Sequence, residues 1–211
     1  NTVISGYMGL IKQIDDNLGR LFEFLYKKGN MKDTMIVFTS DHGDCLTDHG
    51  HSQKWTMYDL ITRIPMIVWS PGRFPADLVV DALCQQMDIG PTILELAGLT
   101  PPKTLEAISL MPALRGDEWG GRDYVYAEQV KDGILTHAEF MTMVRSRTHK
   151  LVHFLDEPDG QLFDLAADPD EVSNLWDDES HSGIKDELLA ELREWRIRSQ
   201  LHTASLFQDY R

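Results

Sequence analysis

The segment SDHGDCLTDHGHSQK, residues 40–54, packs two Asp-His-Gly triplets, a further His and a Lys directly behind the apolar run Met35-Ile36-Val37-Phe38. Asp41 and His42 put a carboxylate beside an imidazole, a donor pair suited to a divalent cation. Lys54 has the charge and reach to hold an anion next to such a cation. Gly43 lets the backbone turn sharply behind the pair. Residue types alone leave a second reading open, in which Asp41 caps a turn and the His and Lys side chains are solvated.

The elements around this segment must place it. Tyr7, Leu10, Ile11, Ile14, Leu18, Leu21, Phe22 and Leu25 recur at steps of three and four, which predicts an amphipathic helix stopped at Gly29-Asn30. MIVFTS and IPMIVWS are short, almost wholly apolar runs, the pattern of strands covered on both faces. They predict neighbouring parallel strands over 31–39 and 64–70 in the centre of one sheet. MDIGPTILELAGL predicts a helix with Asp88 as N-cap, Pro91 in its first turn and Gly98 near its end. Helix, strand, loop, strand, helix is the cadence of an open α/β sheet, whose ligands bind at the carboxyl ends of its strands. Asp41 and His42 fall at such an end.

Beyond a Pro- and Gly-rich stretch the pattern changes. DYVYAEQV, EFMTMVRS, KLVHFL and GQLFDL are short segments split by turn residues, predicting an antiparallel sheet. Leu188, Leu189, Leu192, Trp195 and Ile197 outline a closing helix. The expected division is 1–120, part of an α/β domain, and 121–211, a small α+β subdomain.

Composition narrows the function. The formal net charge of −14 argues against nucleic acid or an anionic membrane as partner. The positive field for an anionic substrate must then come from a bound cation. Cys45 and Cys84 are far apart and form no CxxC, so there is no disulfide scaffold. No apolar run is long enough to span a bilayer. The start, NTVISGYMGL, reads as a start inside a domain. Cytoplasm or periplasm is expected, the cytoplasm favoured.

DTMIVFTSDHGDCLTDHGHSQK followed by TRIPMIVWSPG resembles the sulfatase family of the alkaline-phosphatase superfamily. YMGLIKQIDDNLGRLFEFL, QMDIGPTILELAGL, ISLMPALRGD, YVYAE, MVRSRTHKLV and GQLFDLAADPDEVSNL are similar to further family segments in the same order. The resemblance implies an alkaline-phosphatase-like central mixed sheet, here partial, with the small antiparallel subdomain after it. It also implies hydrolysis of sulfate esters. Asp41 and His42 match one pair of metal ligands, and Lys54 the lysine that holds a sulfate oxygen and stabilises the leaving charge. His51 stands at a variable position and is carried as a substrate contact. The cation expected is Ca²⁺, with Mn²⁺ or Mg²⁺ admissible.

The family's Cys/Ser-x-Pro-x-Arg nucleophile motif, whose Cys or Ser becomes formylglycine, is absent, as is its early Asp-Asp metal pair. The chain therefore reads as a C-terminal half whose partner is the N-terminal half of the same protein, inactive by itself. Two further readings stand beside this one: a phosphonate monoester or phosphodiester hydrolase of the same superfamily, and a non-catalytic fragment. Asp44 and Arg63 are read as a solvated carboxylate and a residue paired with an acidic neighbour. His49 is read as orienting the loop, and Asp168-Pro169-Asp170-Glu171 as a structural turn.

Overall fold

The computed structural model describes residues 2–130 and 139–206; residues 131–138 and 207–211 of the expected subdomain lie outside them. The first helix, α1 (Thr2–Lys27), follows the three-four periodicity. It ends where Gly29 takes a left-handed conformation at φ 73°. Gly29 N then donates to Tyr26 O at 3.0 Å and Asn30 N to Leu25 O at 3.1 Å, which satisfies two terminal carbonyls. No residue of α1 is buried, and Met8, Leu10, Ile11, Ile14, Leu21 and Phe24 lie open to solvent.

The next strands, β1 (Ile36–Thr39) and β2 (Met66–Trp69), do pair. They are antiparallel, with Ile36 opposite Trp69 and Thr39 opposite Met66, and they form a two-stranded sheet. The expectation of parallel neighbours is thus corrected. A continuous apolar run signals a strand whose faces need cover, but it carries no information about direction. Direction is set by the connection, and here the chain between them holds only a 3-10 turn at Asp48–Gly50 and the single-turn helix α2 (Asp59–Thr62), not a crossover helix. Nor is the pair covered on both faces: Phe38 and Ile67, opposite one another, are 39% and 59% exposed.

A turn at Gln86–Asp88 leads into α3 (Ile89–Leu96). Asp88 is not a simple N-cap. Gln85 caps the turn, and the Asp88 carboxylate reaches back to Gln85 N at 2.8 Å, the reciprocal capping box. The same fully buried carboxylate accepts from Ile108 N at 2.8 Å and Arg122 Nε at 3.1 Å. Thr92 Oγ1 accepts from Leu110 N at 2.8 Å, so the loop leading to α4 (Met111–Arg115) is tied to α3.

The remaining strands are β3 (Val125–Val130), β4 (Phe140–Arg145), β5 (His149–Phe154) and β6 (Gly160–Asp164). They form an antiparallel meander in chain order, as the alternating segments predict. The last helix, α5 (Ser182–Leu206), closes one face. Val144, Leu151 and Leu162 stand opposite one another across β4, β5 and β6 and bury against Leu188 and Leu192. Alternation sends Met141, Met143 and Val152 to the other face, where they pack with Met57, just past the Lys54 loop. Both faces of this sheet are therefore in use, one for the core and one for the site. Gly160 is required here, because a Cβ on it would lie 2.4 Å from the Trp176 ring.

Candidate active site

Asp41 and His42 follow directly on β1. Asp41 Oδ1 accepts from His42 N at 2.9 Å, and Ser40 Oγ donates to His42 O at 2.7 Å. His42 Nδ1 lies 2.8 Å from Gly43 O. A carbonyl only accepts, so Nδ1 carries the proton and the Nε2 lone pair is left free. That Nε2 faces Asp41 Oδ2 at 3.5 Å. The imidazole thus turns Nε2 toward a carboxylate oxygen, an arrangement completed by a cation or a second proton. The Asp41 carboxyl is held below the usual carboxylate range chiefly by the His42 backbone N–H. Both groups are open to solvent on one side, Asp41 at 82% of its side chain and His42 at 37%.

The donor set fits a divalent cation. One carboxylate oxygen and one nitrogen, fixed through its Nδ1 hydrogen bond, converge from adjacent residues. They are two donors, fewer than a divalent cation requires. Among the described residues no group of three or more His, Cys, Asp or Glu side chains comes together at a metal-binding spacing.

Gly43 explains why this pair stands where it does. Its N–H donates to Ile61 O at 2.9 Å, and a Cβ there would lie 1.8 Å from Leu60 O. Only a glycine lets α2 approach this closely. Beyond it, the loop to Lys54 is tightly built. Asp44 Oδ1 accepts from Leu46 N at 2.8 Å and from Gln53 N at 3.1 Å, stapling the two ends of the loop. It is no merely solvated carboxylate. Leu46, Thr47, His49 and Gln53 all have positive φ, at 50°, 84°, 52° and 65°. Such strain persists only where the surroundings over-determine it, and it collects near functional sites.

His49 stacks on Tyr58 with ring centroids 3.9 Å apart, so it orients the loop as expected. His51 is exposed and is absent from the cleft lining; its carbonyl accepts from Thr47 N at 2.9 Å. Lys54 places its ammonium 5.6 Å from the Trp55 ring centroid. Arg63 has no ion-pair partner in the structure among the described residues, contrary to the expected pairing with an acidic neighbour; it lines the cleft instead.

Asp41, His42 and Lys54 line one open cleft of about 1760 Å³. Trp69, Arg145 and Arg147 line it too, so the C-terminal sheet provides one wall. Lys54, Arg63 and Arg147 line this cleft together with the carboxylates of Asp41, Asp77, Asp81 and Glu128.

Sequence reasoning missed the group that joins this wall to the site. Lys150, with no exposed surface, donates from Nζ to Met57 O at 3.1 Å and to Asp59 Oδ1. Glu171 Oε1 lies 2.6 Å from the same Nζ, off any hydrogen-bond axis, so that contact is charge against charge. Arg145 reaches Asp59 Oδ2 at 3.2 Å, and Glu171 Oε2 accepts from Asp59 N at 2.5 Å. A signal was present: Lys150 stands near the start of a strand, directly ahead of Leu151 and Val152, which must be buried, and a buried Lys requires a carboxylate elsewhere. Its partner waited in the turn at Glu171.

Comparison with known proteins agrees with the sequence resemblance. The family described as N-sulphoglucosamine sulphohydrolase, C-terminal, matches residues 47–198. An N-acetylglucosamine-6-O-sulfatase of Bacteroides thetaiotaomicron is 30% identical over 196 residues, which is 89% of this chain and 34% of that protein. A structure solved in complex with its substrate D-glucosamine-2-N,6-O-disulfate superposes with a TM-score of 0.82 at 29% identity, over 90% of this chain and 39% of that one. The phosphonate monoester hydrolase of Silicibacter pomeroyi gives 0.79 at 28% identity, over 88% and 39%. The chain thus spans well under half the length of the proteins it matches, always with the same alkaline-phosphatase-like fold. It belongs to the N-sulphoglucosamine sulphohydrolase C-terminal family, the C-terminal region of the sulfatases.

Proposed function

We propose that this chain is the C-terminal part of a metal-dependent sulfate-ester hydrolase and contributes two metal ligands, Asp41 and His42, and an anion-holding Lys54. The observation that carries the reading is the Asp41–His42 pair, whose free Nε2 and Oδ2 face each other at 3.5 Å on the cleft that Lys54 also lines. A divalent cation bound there, Ca²⁺ or alternatively Mn²⁺ or Mg²⁺, would supply Lewis-acid polarisation of the ester oxygen and shield its charge. Lys54 would hold a sulfate oxygen and stabilise the negative charge that grows on the departing alcohol. The Trp55 face beside its ammonium limits where that charge can swing.

The nucleophile and the remaining ligands belong, on this reading, to a preceding segment of a longer polypeptide. Neither cysteine here suits the role. Cys45 is 1% exposed, its thiol raised above its ordinary pKa by burial and shared with Thr56 Oγ1 at 3.6 Å. The open apolar faces of α1 and of the β1–β2 pair are where that segment would pack. A formylglycine on it would complete the chemistry, and the substrate would be a small sulfated ester. The resemblance to a protein solved with a disulfated glucosamine makes sulfated amino sugars the first class to test.

The similarity to a phosphonate monoester hydrolase supports a second reading, since the same donors serve a tetrahedral phosphorus centre. Steady-state kinetics on the complete polypeptide, with aryl sulfate, aryl phosphonate and phosphodiester side by side, separate the two. The sulfatase reading expects the highest kcat/KM with the sulfate ester; a phosphonate preference transfers the conclusion to the second reading. Turnover of none would leave a non-catalytic fragment.

A further inference from the structure

The helix α2 is a single turn, and Tyr58 at its N-terminal boundary provides no side-chain cap. The first N–H of α2, on Asp59, is satisfied instead by Glu171 Oε2 at 2.5 Å, from a turn 112 residues further along the chain. Just before α2, the carbonyl of Met57 is held by Lys150 Nζ at 3.1 Å. Two backbone atoms of one short segment are thus gripped by charged groups of the C-terminal sheet. Glu171 pays for its place with a left-handed backbone, φ 55°, although it is 3% exposed and not a glycine.

The gripped segment touches both arms of the site. Lys54 precedes Met57 by three residues. The carbonyl of Ile61, in the turn that Asp59 begins, accepts the Gly43 N–H at 2.9 Å, and Gly43 follows His42 directly. The cluster itself is balanced, with Lys150 and Arg145 against Asp59 and Glu171. It has no charge left over for a ligand, which makes it a support and not a second binding site.

We infer that Glu171, with Lys150, is a positioning residue: by capping α2 it sets where His42 and Lys54 stand relative to each other. The inference rests on the sulfate-ester reading of that site, but its first test does not. Amide exchange measured by NMR on the 211-residue chain compares Gly43 with Leu192, buried in α5 on the opposite face of the sheet. Glu171→Ala should speed Gly43 exchange at least about tenfold more than Leu192 exchange, as expected when a local opening is favoured over global unfolding. Glu171→Gln, which keeps an acceptor for Asp59 N, should restore most of the protection. Equal acceleration at both amides, or no difference between Gln and Ala, would overturn the inference.

In the complete hydrolase, Glu171→Ala should lower kcat by about 10–100-fold with KM within a factor of about two, because misplacing a reacting group by about an ångström costs on that order. An unchanged kcat alongside a loosened Gly43 would also overturn it. A wild-type protein without turnover would defeat the functional reading alone and leave the exchange comparison to decide the positioning role.

Discussion

Replacing Gly43 by Ala should be among the most damaging single-methyl changes in this chain. The added Cβ would sit 1.8 Å from Leu60 O and 2.9 Å from Leu60 C, both backbone atoms that no side-chain rotation can move. A comfortable carbon–oxygen contact needs about 3.3 Å, so α2 and the His42 turn must part by about 1.5 Å. That parting stretches the Gly43 N to Ile61 O bond, now 2.9 Å, beyond any hydrogen bond. Leaving those partners unsatisfied costs about 1–3 kcal/mol. The forced backbone shift adds about 1–3 kcal/mol. The expected loss is about 2–6 kcal/mol, read from the urea midpoint of the 211-residue chain at unchanged m-value. Gly90→Ala in α3 is the control, since a Cβ there meets nothing within 4 Å and should stabilise by about 0.4–1 kcal/mol. If Gly43→Ala cost less than about 0.5 kcal/mol, the close approach of α2 would not be what holds His42, and the reasoning would fail.

Lys150→Met should cost about 3–5 kcal/mol in the same urea assay, because Glu171 would be left with a buried, uncompensated charge while Arg145 still pairs with Asp59; a loss under about 1 kcal/mol would show that water reaches the cluster. Asp164 accepts from the backbone N–H groups of Ala167 and Ala166, which lower its pKa, so its contribution is present above the unfolded value of about 3.9 and lost as pH falls through the lower folded value. The urea midpoint should therefore drop between about pH 5 and pH 3, and drop less in Asp164→Asn; equal drops would contradict this assignment. We also propose that the two expected domains fold as one unit, since the Arg122–Asp88 and Lys150–Asp59 pairs cross the boundary. A chain ending at Gly121 should lose cooperative unfolding, and a cooperatively folded fragment would show the parts to be independent.

The alternating segments made the C-terminal sheet legible. Val144, Leu151 and Leu162 could face Leu188 only if β4, β5 and β6 alternated as their sequence does. The stop of α1 was equally plain, because Gly29-Asn30 needs a left-handed residue that glycine supplies freely. Strand direction at β1 and β2 was not legible. Apolar character reports the need for cover, and the antiparallel pairing is decided by a connection whose helical pieces are each a turn long at most. Charged groups misled for a related reason. Asp44 reads as solvated and Glu171 only as part of a structural turn, yet each accepts from a backbone N–H, of Gln53 and Asp59, which carries no side-chain signature. Asp88 was read as a cap for its own helix, whereas Arg122 and Ile108 share it from segments no local pattern connects. Asp41 and His42 could be singled out in the sequence because their chemistry is local, two adjacent residues just past a strand.

The most direct test of the account is metal content and sulfate-ester turnover, measured together on the complete polypeptide for wild type, Asp41→Ala and Lys54→Ala. Wild type should hold one divalent cation per chain at this site and hydrolyse an aryl sulfate. Asp41→Ala should lose both the cation and nearly all turnover. Lys54→Ala should keep the cation and lose about 10²–10³ in kcat, the usual effect of deleting one positioned charge donor. An Asp41→Ala protein that retains its metal and its rate would contradict the assignment of the Asp41–His42 pair, and with it the central claim.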